Sequence, residues 1–582
     1  MRLVIREYLS MLKESGGVDA LLPDLLLTMG FDILSRPGIG PRQYGVDLAA
    51  VGIDPEDNKQ KLFLFTIKRG DINRTEWDNK GKHSVRPSLN EIRDSYLRTR
   101  VRPEHENLPK KIILATGGDI KQDVEPDWVN YTHSYSENHP KYGEITFDFW
   151  GGDQLALLIQ DFLFNEYIFN ESAKGHLRKT IALADQNEDE PYFFYRLIEE
   201  IINPNLPKDK KNKHKRQQAL NSLNLSLNIV FYWCDAADNL RPAILCAERA
   251  ILRIWDWIRL SNLFDCKITV EGLWNILSTY IIITNKYVNK IQPHCLVKNG
   301  LFGYGADQIE YSLRTFEIIG MFGLVGMVHY YYSQLHQDED TRKNHHEQAE
   351  AIAEILIALI ENNPSAKTPR YDEHIIDITL GLLLLNSVSF KKEASEWIIE
   401  INNRMTFAYE FLGNHFPIAS ESYDQLVAMQ FGQARPKEEL MQLSTMLPIL
   451  ADWYAILNLV DEYKYFQHEI KRVFTSTNLQ LWFPDETTDS YLYNSNAGYT
   501  SGFSVTSLKL PEDLEQYKTT IIRLREKHQD YVKQISCLTY QLPMLALISS
   551  RHFRSPVIPA YWQYEIQVQP SSELPDSDNQ SN

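Results

Sequence analysis

Cysteine is scarce in this chain, with five among 582 residues, at positions 234, 246, 266, 295 and 537. No two have the Cys-x-x-Cys spacing of a zinc or redox site, and the odd count suits a reducing compartment. Long apolar runs are missing as well. The longest, Ile318 to Val328, is too short to span a bilayer and is interrupted by three glycines. Met1 to Ser10 carries Arg2, Arg6 and Glu7 and no apolar core, so no signal peptide is expected. These absences predict a cytoplasmic protein without a membrane association. A basic excess is also lacking. The 60 Lys and Arg face 77 Asp and Glu for a net charge of −17, which argues against passive adhesion to nucleic acid but leaves room for a local basic site. His345-His346 beside Glu347 reads as a solvated helix face rather than a ligand set. What the chain has in quantity is apolar residues, at 43%, enough for large cores. Its length suits roughly two to four domains.

The most informative stretch runs from Gly45 to Lys68. Leu48 to Val51 is a short apolar run, broken by the turn Asp54-Pro55-Glu56-Asp57-Asn58. Phe63, Phe65 and Ile67 then alternate with Leu64, Thr66 and Lys68, which puts Thr66 and Lys68 on one face of a strand. Hairpin spacing sets Asp47 at the start of one strand and Lys68 at the end of the other. An acid and a lysine facing one point suit phosphodiester chemistry, the carboxylate holding a divalent metal and the ammonium stabilising charge on phosphate. A surface hairpin with a solvated Asp and Lys is the plainer alternative.

Upstream, Val18 to Met29 has helical apolar spacing and ends at Gly30, with Pro23 awkward unless it lies in the first turn. Phe31 to Leu34 reads as a strand, and Ser35 to Arg42 as a Gly/Pro loop. Asp19, Leu25, Leu26, Met29, Gly30 and Phe31, then Gly45-Val46-Asp47, Thr66-Ile67-Lys68, Ile112 to Gly117, and Ile145 to Trp150 with Gly151 to Ile159, follow one another in a recognisable order. In that order the first 145 residues or so, from about Asp19 to Ile159, resemble the Mrr-type branch of the PD-(D/E)xK restriction-endonuclease-like superfamily. The resemblance implies an α/β domain, a mixed sheet flanked by helices, that hydrolyses DNA phosphodiesters with Mg²⁺ or Mn²⁺. It implies Asp47, Lys68, Thr66 and Asp19 as catalytic positions, with Asp47 and the backbone carbonyl of Ile67 as metal ligands. It also implies pairing of copies, since many nucleases of this fold pair to cut both strands. Thr66 departs from the family, which has Glu or Gln there, and a neutral hydroxyl is a weaker metal ligand than a carboxylate. Three readings stay open: a metal held by Asp47, the Ile67 carbonyl and water; a second acid supplied by Glu91 or Glu76; or a domain that binds DNA without cutting it.

From Lys59 to Lys111 fourteen basic residues face seven acids, a local net of +7 inside an acidic chain. This segment is the expected phosphate-contacting region, through Arg69, Arg74, Lys80, Lys82 and Arg86, with Trp77, His83 and Tyr96 available for stacking or packing. A charged, solvated helix over Glu91 to Arg102 is the plainer reading.

Residues 171–216 read as a linker with one helix, Pro191 to Ile202, and a basic run, Lys208 to Arg216, that holds six bases and one acid. Residues 217–560 show successive helical segments without a clean repeat signature, an all-α array suited to sensing or assembly. Within it, Gly320, Gly323 and Gly326 would let a neighbouring backbone approach closely, and Glu438 to Val473 reads as one segment broken near Pro448. Tyr561 to Gln569 reads as a strand, and Ser571 to Asn582 as a disordered acidic tail. The architecture as a whole resembles a bacterial anti-phage effector, with companion defence proteins or a phage trigger as partners. A degenerate nuclease-fold scaffold is the alternative, and the choice between DNA and RNA stays open.

Overall fold

The computed structural model describes residues 1–12, 17–35, 44–79, 84–139, 142–165, 168–186, 190–202, 212–305, 307–494 and 502–567. They form two compact units, Met1–Tyr280 and Ile281–Asn582.

The first unit is built on a six-stranded mixed sheet of β1 (Asp32–Ser35), β2 (Leu48–Ile53), β3 (Gln60–Lys68), β4 (Lys110–Thr116), β5 (Glu137–His139) and β6 (Gly143–Trp150), in the order β1-β2-β3-β4-β6-β5. β1, β2 and β3 run antiparallel as a meander, whereas β3, β4 and β6 are parallel and β5 closes the far edge antiparallel. Parallel neighbours need crossovers, and helices supply them. α3 (Arg74–Asp78) and α4 (Val85–Glu91) lie between β3 and β4, and the Glu125–Tyr135 helix lies between β4 and β6.

Strand alternation sorts the side chains. Ala49, Val51, Leu62, Leu64, Ile112 and Leu114 join Trp77, Leu89, Ile92, Val124 and Tyr131 of the crossover helices in one core. Phe63 and Phe65 face the other way, against Phe31 and Trp150, with ring centroids 4.7 and 5.3 Å apart. Each such buried side chain contributes roughly 1.5–3 kcal/mol, so the sheet is held from both faces.

α1 (Arg2–Met11) precedes α2 (Asp19–Thr28), which ends at Gly30 as its sequence predicts. Pro23 lies inside α2, beyond the first turn, so the Asp19 carbonyl loses its intrahelical donor. The expected boundary at residue 170 gives way to one near 280, because the Lys213–Ala236 helix is fastened to the α/β part by buried polar groups. Asn221 Nδ2 donates to the Asp24 carbonyl (3.1 Å) and to Thr28 Oγ1 (3.2 Å), and Ser222 donates to the Leu163 carbonyl. The expected linker itself holds two helices, Glu171–Ala182 and Tyr192–Ile201. The first part of its basic run, 208–211, lies outside the described residues.

The second unit is largely helical but is not the all-α array expected: Leu443–Ser444 pairs with Asn478–Leu479, and Leu481–Phe483 with Phe503–Val505, in two short sheets. The Gln308–Leu335 helix runs through its core. That helix is long and apolar enough to cross a membrane by composition, but 83% of its most apolar window is buried within the protein. Its glycines let the Ile375–Ser387 helix approach. A Cβ at Gly320, Gly323 or Gly326 would lie 2.0 Å from Asp377 Oδ1, 2.5 Å from the Leu380 carbonyl carbon or 2.4 Å from Leu384 Cδ2. The segment expected to break near Pro448 breaks elsewhere. Pro448 sits in the first turn of the Met446–Ile456 helix, where its missing N–H has no cost, and Val460–Val473 follows as a separate helix. Of the strand expected over Tyr561 to Gln569, the described part, 561–567, is not a strand, and residues 568 and 569 lie outside the described residues. Pro559–Tyr561 and Gln563–Glu565 are 3₁₀ turns, pinned because Trp562 Nε1 and Gln563 Nε2 donate to the buried Asp452 carboxylate at 2.9 and 3.0 Å. The tail from Ser571 lies outside the described residues.

Candidate active site

Three of the four expected catalytic positions, with Ile67, come together where the start of β2 meets the end of β3. β2 begins at Leu48 opposite Phe65, so Asp47 lies beside the last residues of β3. The Asp47 amide donates to the Phe65 carbonyl at 2.8 Å, and its carboxylate Oδ2 accepts from the Ile67 amide at 2.7 Å. The aspartate side chain thus takes the place of a backbone acceptor where the ladder runs out. In an extended strand the amide and carbonyl of one residue point the same way, so the Ile67 carbonyl is directed to the Asp47 side.

Alternation places Asp47 on the face of Ala49 and Val51, and Thr66 and Lys68 on the face of Leu62 and Leu64. These are one face, the one covered by α3 and α4. Gly45 makes the approach possible. Its φ is +79°, and a Cβ there would lie 2.2 Å from the Ser88 carbonyl oxygen of α4, so only glycine fits between that helix and the turn into β2.

Burial separates the three side chains. Asp47 is partly exposed, Thr66 is fully buried, and Lys68 is 6% exposed. The Thr66 hydroxyl has no hydrogen-bond partner among the described residues. Lys68 is one of five buried lysines there. Lys61 and Lys111 pair with Asp54, Lys518 with Glu515, and Lys110 donates to the Glu106 carbonyl, while Lys68 has no ion pair or hydrogen bond among the described residues. A buried ammonium without a counter-charge is costly, and such groups mark functional sites.

In parallel register Lys68 lies beside Thr116, whose hydroxyl donates to the Gly70 carbonyl. Around these strand ends Arg6 Nη1 donates to the Gly117 carbonyl at 2.7 Å and Arg6 pairs with Asp119, while Lys121 pairs with Asp71 at 2.5 Å. The Lys121 hydrogen bond, then the Asp119 amide, holds the Asp71 carboxyl below the usual carboxylate range. Thr116, Asp71 and Asp119 are site-edge residues that sequence reasoning did not single out, although the Thr-Gly ending of β4 pointed at the place.

Asp19 is used differently. It is the first residue of α2, and its Oδ1 accepts from the amides of Gly17 (2.9 Å) and Ala20 (3.0 Å). Of the two candidate second acids, Glu91 ends α4, the helix that crosses the Gly45 turn, and Glu76 is exposed on α3. Among the described residues no cluster of three or more His, Cys, Asp or Glu side chains gathers at one point.

The basic segment is less uniform than its composition suggests. Lys61, Lys110 and Lys111 are buried and partnered, and Asp54, which pairs with Lys61 and Lys111, is 1% exposed. Burial would push the Asp54 carboxyl up, but the Lys61 and Lys111 hydrogen bonds outweigh it and hold it down. Arg74 pairs with Asp127, and Arg86 with Asp78 at 3.0 Å, both at the surface. Arg69 is exposed and without an ion pair among the described residues. Lys80 and Lys82 lie outside them. Trp77 is core, packed edge-on against Trp128 and Tyr131.

No family model matches this chain, and no curated protein or solved structure matches it either.

Proposed function

We propose that this meeting of strand ends is the active site of a metal-dependent DNA endonuclease, the cutting part of an anti-phage effector that the helical unit senses with, assembles or restrains. The observation that carries the reading is Lys68, a buried ammonium without a partner among the described residues, on the same face and at the same strand ends as the Asp47 carboxylate. The oxygens at hand, one carboxylate of Asp47 and the Ile67 carbonyl turned beside it, are the hard donors that Mg²⁺ or Mn²⁺ takes while keeping several waters. Such an ion would polarise the phosphate and lower the pKa of an attacking water. The Ile67 amide orients Asp47, and Lys68 supplies positive charge where the phosphorane oxygens gather it. Arg69, exposed one residue on, suits a neighbouring phosphate of the strand. Paired copies would let both strands be cut.

One observation favours a second reading, a non-catalytic DNA-binding or protein-binding scaffold. Thr66, where a second carboxylate would sit, is fully buried and its hydroxyl engages nothing among the described residues. Calorimetric titration of Mn²⁺ separates the two. The nuclease reading expects binding that Asp47→Asn abolishes, and the scaffold reading expects no Asp47-dependent heat.

A further inference from the structure

Within the second unit a cavity of about 580 Å³ opens between the Lys391–Phe407 helix, the π turn Ala408–Leu412 that extends it, and the Val460–Val473 helix. Its volume is in the range of sites that enclose a small ligand or a few side chains. Three large rings on its wall face solvent. Phe407 is 54% exposed, Phe411 67% and Tyr465 56%, and the Phe407 and Phe411 centroids are 5.2 Å apart. The π turn carries Phe411 and leaves it outward, and π turns recur at functional positions. Leu412, 55% exposed, adjoins them in sequence. Exposed rings grouped in this way mark a binding surface rather than ordinary surface scatter.

The polar part of the lining is acidic: Glu410, Asp461, Glu462 and Glu469 against a single cation, Arg472. Arg472 is already engaged. It pairs with Glu410 (Nη2 to Oε2, 2.8 Å) and with Glu469 (Nε to Oε1, 3.1 Å). Asp461 and Glu462, both exposed in the first turn of their helix, have no ion pair or hydrogen bond among the described residues. Aromatic faces beside unpaired carboxylates attract cations twice over, through the ring quadrupole and through charge. The same charge repels nucleic acid and acidic segments.

We propose that this cavity docks a basic peptide segment of a partner protein, with an Arg or Lys side chain stacked on Phe411 and Tyr465 and neutralised by Asp461 and Glu462. An apolar neighbour in the segment covers Phe407. The helical unit thereby acquires a contact of defined chemistry, independent of the reading given to the sheet.

The test uses the full chain and a fluorescein-labelled octapeptide of alternating Leu and Arg, followed by anisotropy, with the Leu/Glu peptide as comparison. The expected result is saturable binding of the basic peptide alone, weakened about tenfold or more by Asp461→Asn with Glu462→Gln, and likewise by Phe411→Ala. Removing an equivalent exposed acidic pair at another helix start of the same unit, Glu339→Gln with Asp340→Asn, leaves affinity unchanged. All these positions are exposed, so the variants fold. No binding by the wild type overturns the proposal. So does equal weakening by both acidic pairs, which would assign binding to the overall negative charge, or full affinity in Phe411→Ala.

Discussion

The Ile67 amide donates to the Asp47 carboxylate at 2.7 Å, so this acid of the candidate site is aimed by the backbone of the strand that carries the lysine. Asp47→Ala removes this acceptor and leaves a largely buried amide unsatisfied, at a cost of about 1–3 kcal/mol. Asp47→Asn keeps an acceptor there and loses only the charge. Urea unfolding should show the alanine variant destabilised and the asparagine variant close to wild type, while calorimetry shows Mn²⁺ binding lost in both. Equal stability of the two would mean that the amide has another acceptor.

Thr66 allows a sharper stability test. Its hydroxyl is buried without a partner among the described residues, and valine has nearly the same shape. Thr66→Val should leave the urea midpoint unchanged or raise stability by up to ~1 kcal/mol. A loss above about 1 kcal/mol would show that the hydroxyl is engaged, by a metal or by a buried water.

The buried cluster of Asp54, Lys61 and Lys111 predicts both a mutational and a pH effect. Asp54→Ala removes the acceptor that Lys61 and Lys111 share but leaves Lys61 with Asp57 and Lys111 with Glu56 and Asp148, so it should cost about 1–3 kcal/mol. The Asp54 carboxyl lies below its usual range, against the pull of its own burial, so its contribution is complete above pH ~4 and fades as pH falls. Burial would lower the Lys61 ammonium, but its bonds to Asp54 and Asp57 raise it. Its contribution is therefore complete below pH ~10 and is lost as pH rises further. Chemical unfolding across pH checks both limbs. In Asp54→Asn the acid limb should flatten, and an unchanged acid limb would assign it to other carboxylates.

DNA binding should separate the arginines by their existing partners. Arg69 has no ion pair among the described residues, whereas Arg86 must leave Asp78 to reach a phosphate. Arg69→Ala should reduce the slope of log K against log salt by about 0.9, the value of one phosphate contact. Arg86→Ala should change it less. Filter binding over a range of salt decides this, and a larger effect at Arg86 would move the contact surface toward α4.

Much of the site's framework was legible because it rests on local rules. The turn at Pro55, the alternation through Phe63, Phe65 and Ile67, and the Gly30 stop each fixed an element before any contact was known. The glycine stripe of the long core helix also met the close neighbour that its spacing predicts. What failed depended on tertiary burial. A charge count treats Lys61, Lys110 and Lys111 as surface, and only the fold shows them buried and partnered. Tyr561 to Gln569 has the composition of a strand, but the buried Asp452 carboxylate takes Trp562 and Gln563 as donors and turns the chain instead. Within the first unit, which extends to Tyr280, Asn221 and Ser222 bond to the α/β part, and they are polar residues that no periodicity would rank as core.

The most direct test of the central claim is plasmid cleavage with Mg²⁺ or Mn²⁺ by the full chain, beside Asp47→Asn and Lys68→Ala. The account predicts nicking or linearisation by the wild type and a loss of at least about a hundredfold in each variant, the scale expected for removing a group that stabilises developing charge. Cleavage that survives in Lys68→Ala would contradict it, because the buried Lys68 ammonium would then have no part in the chemistry.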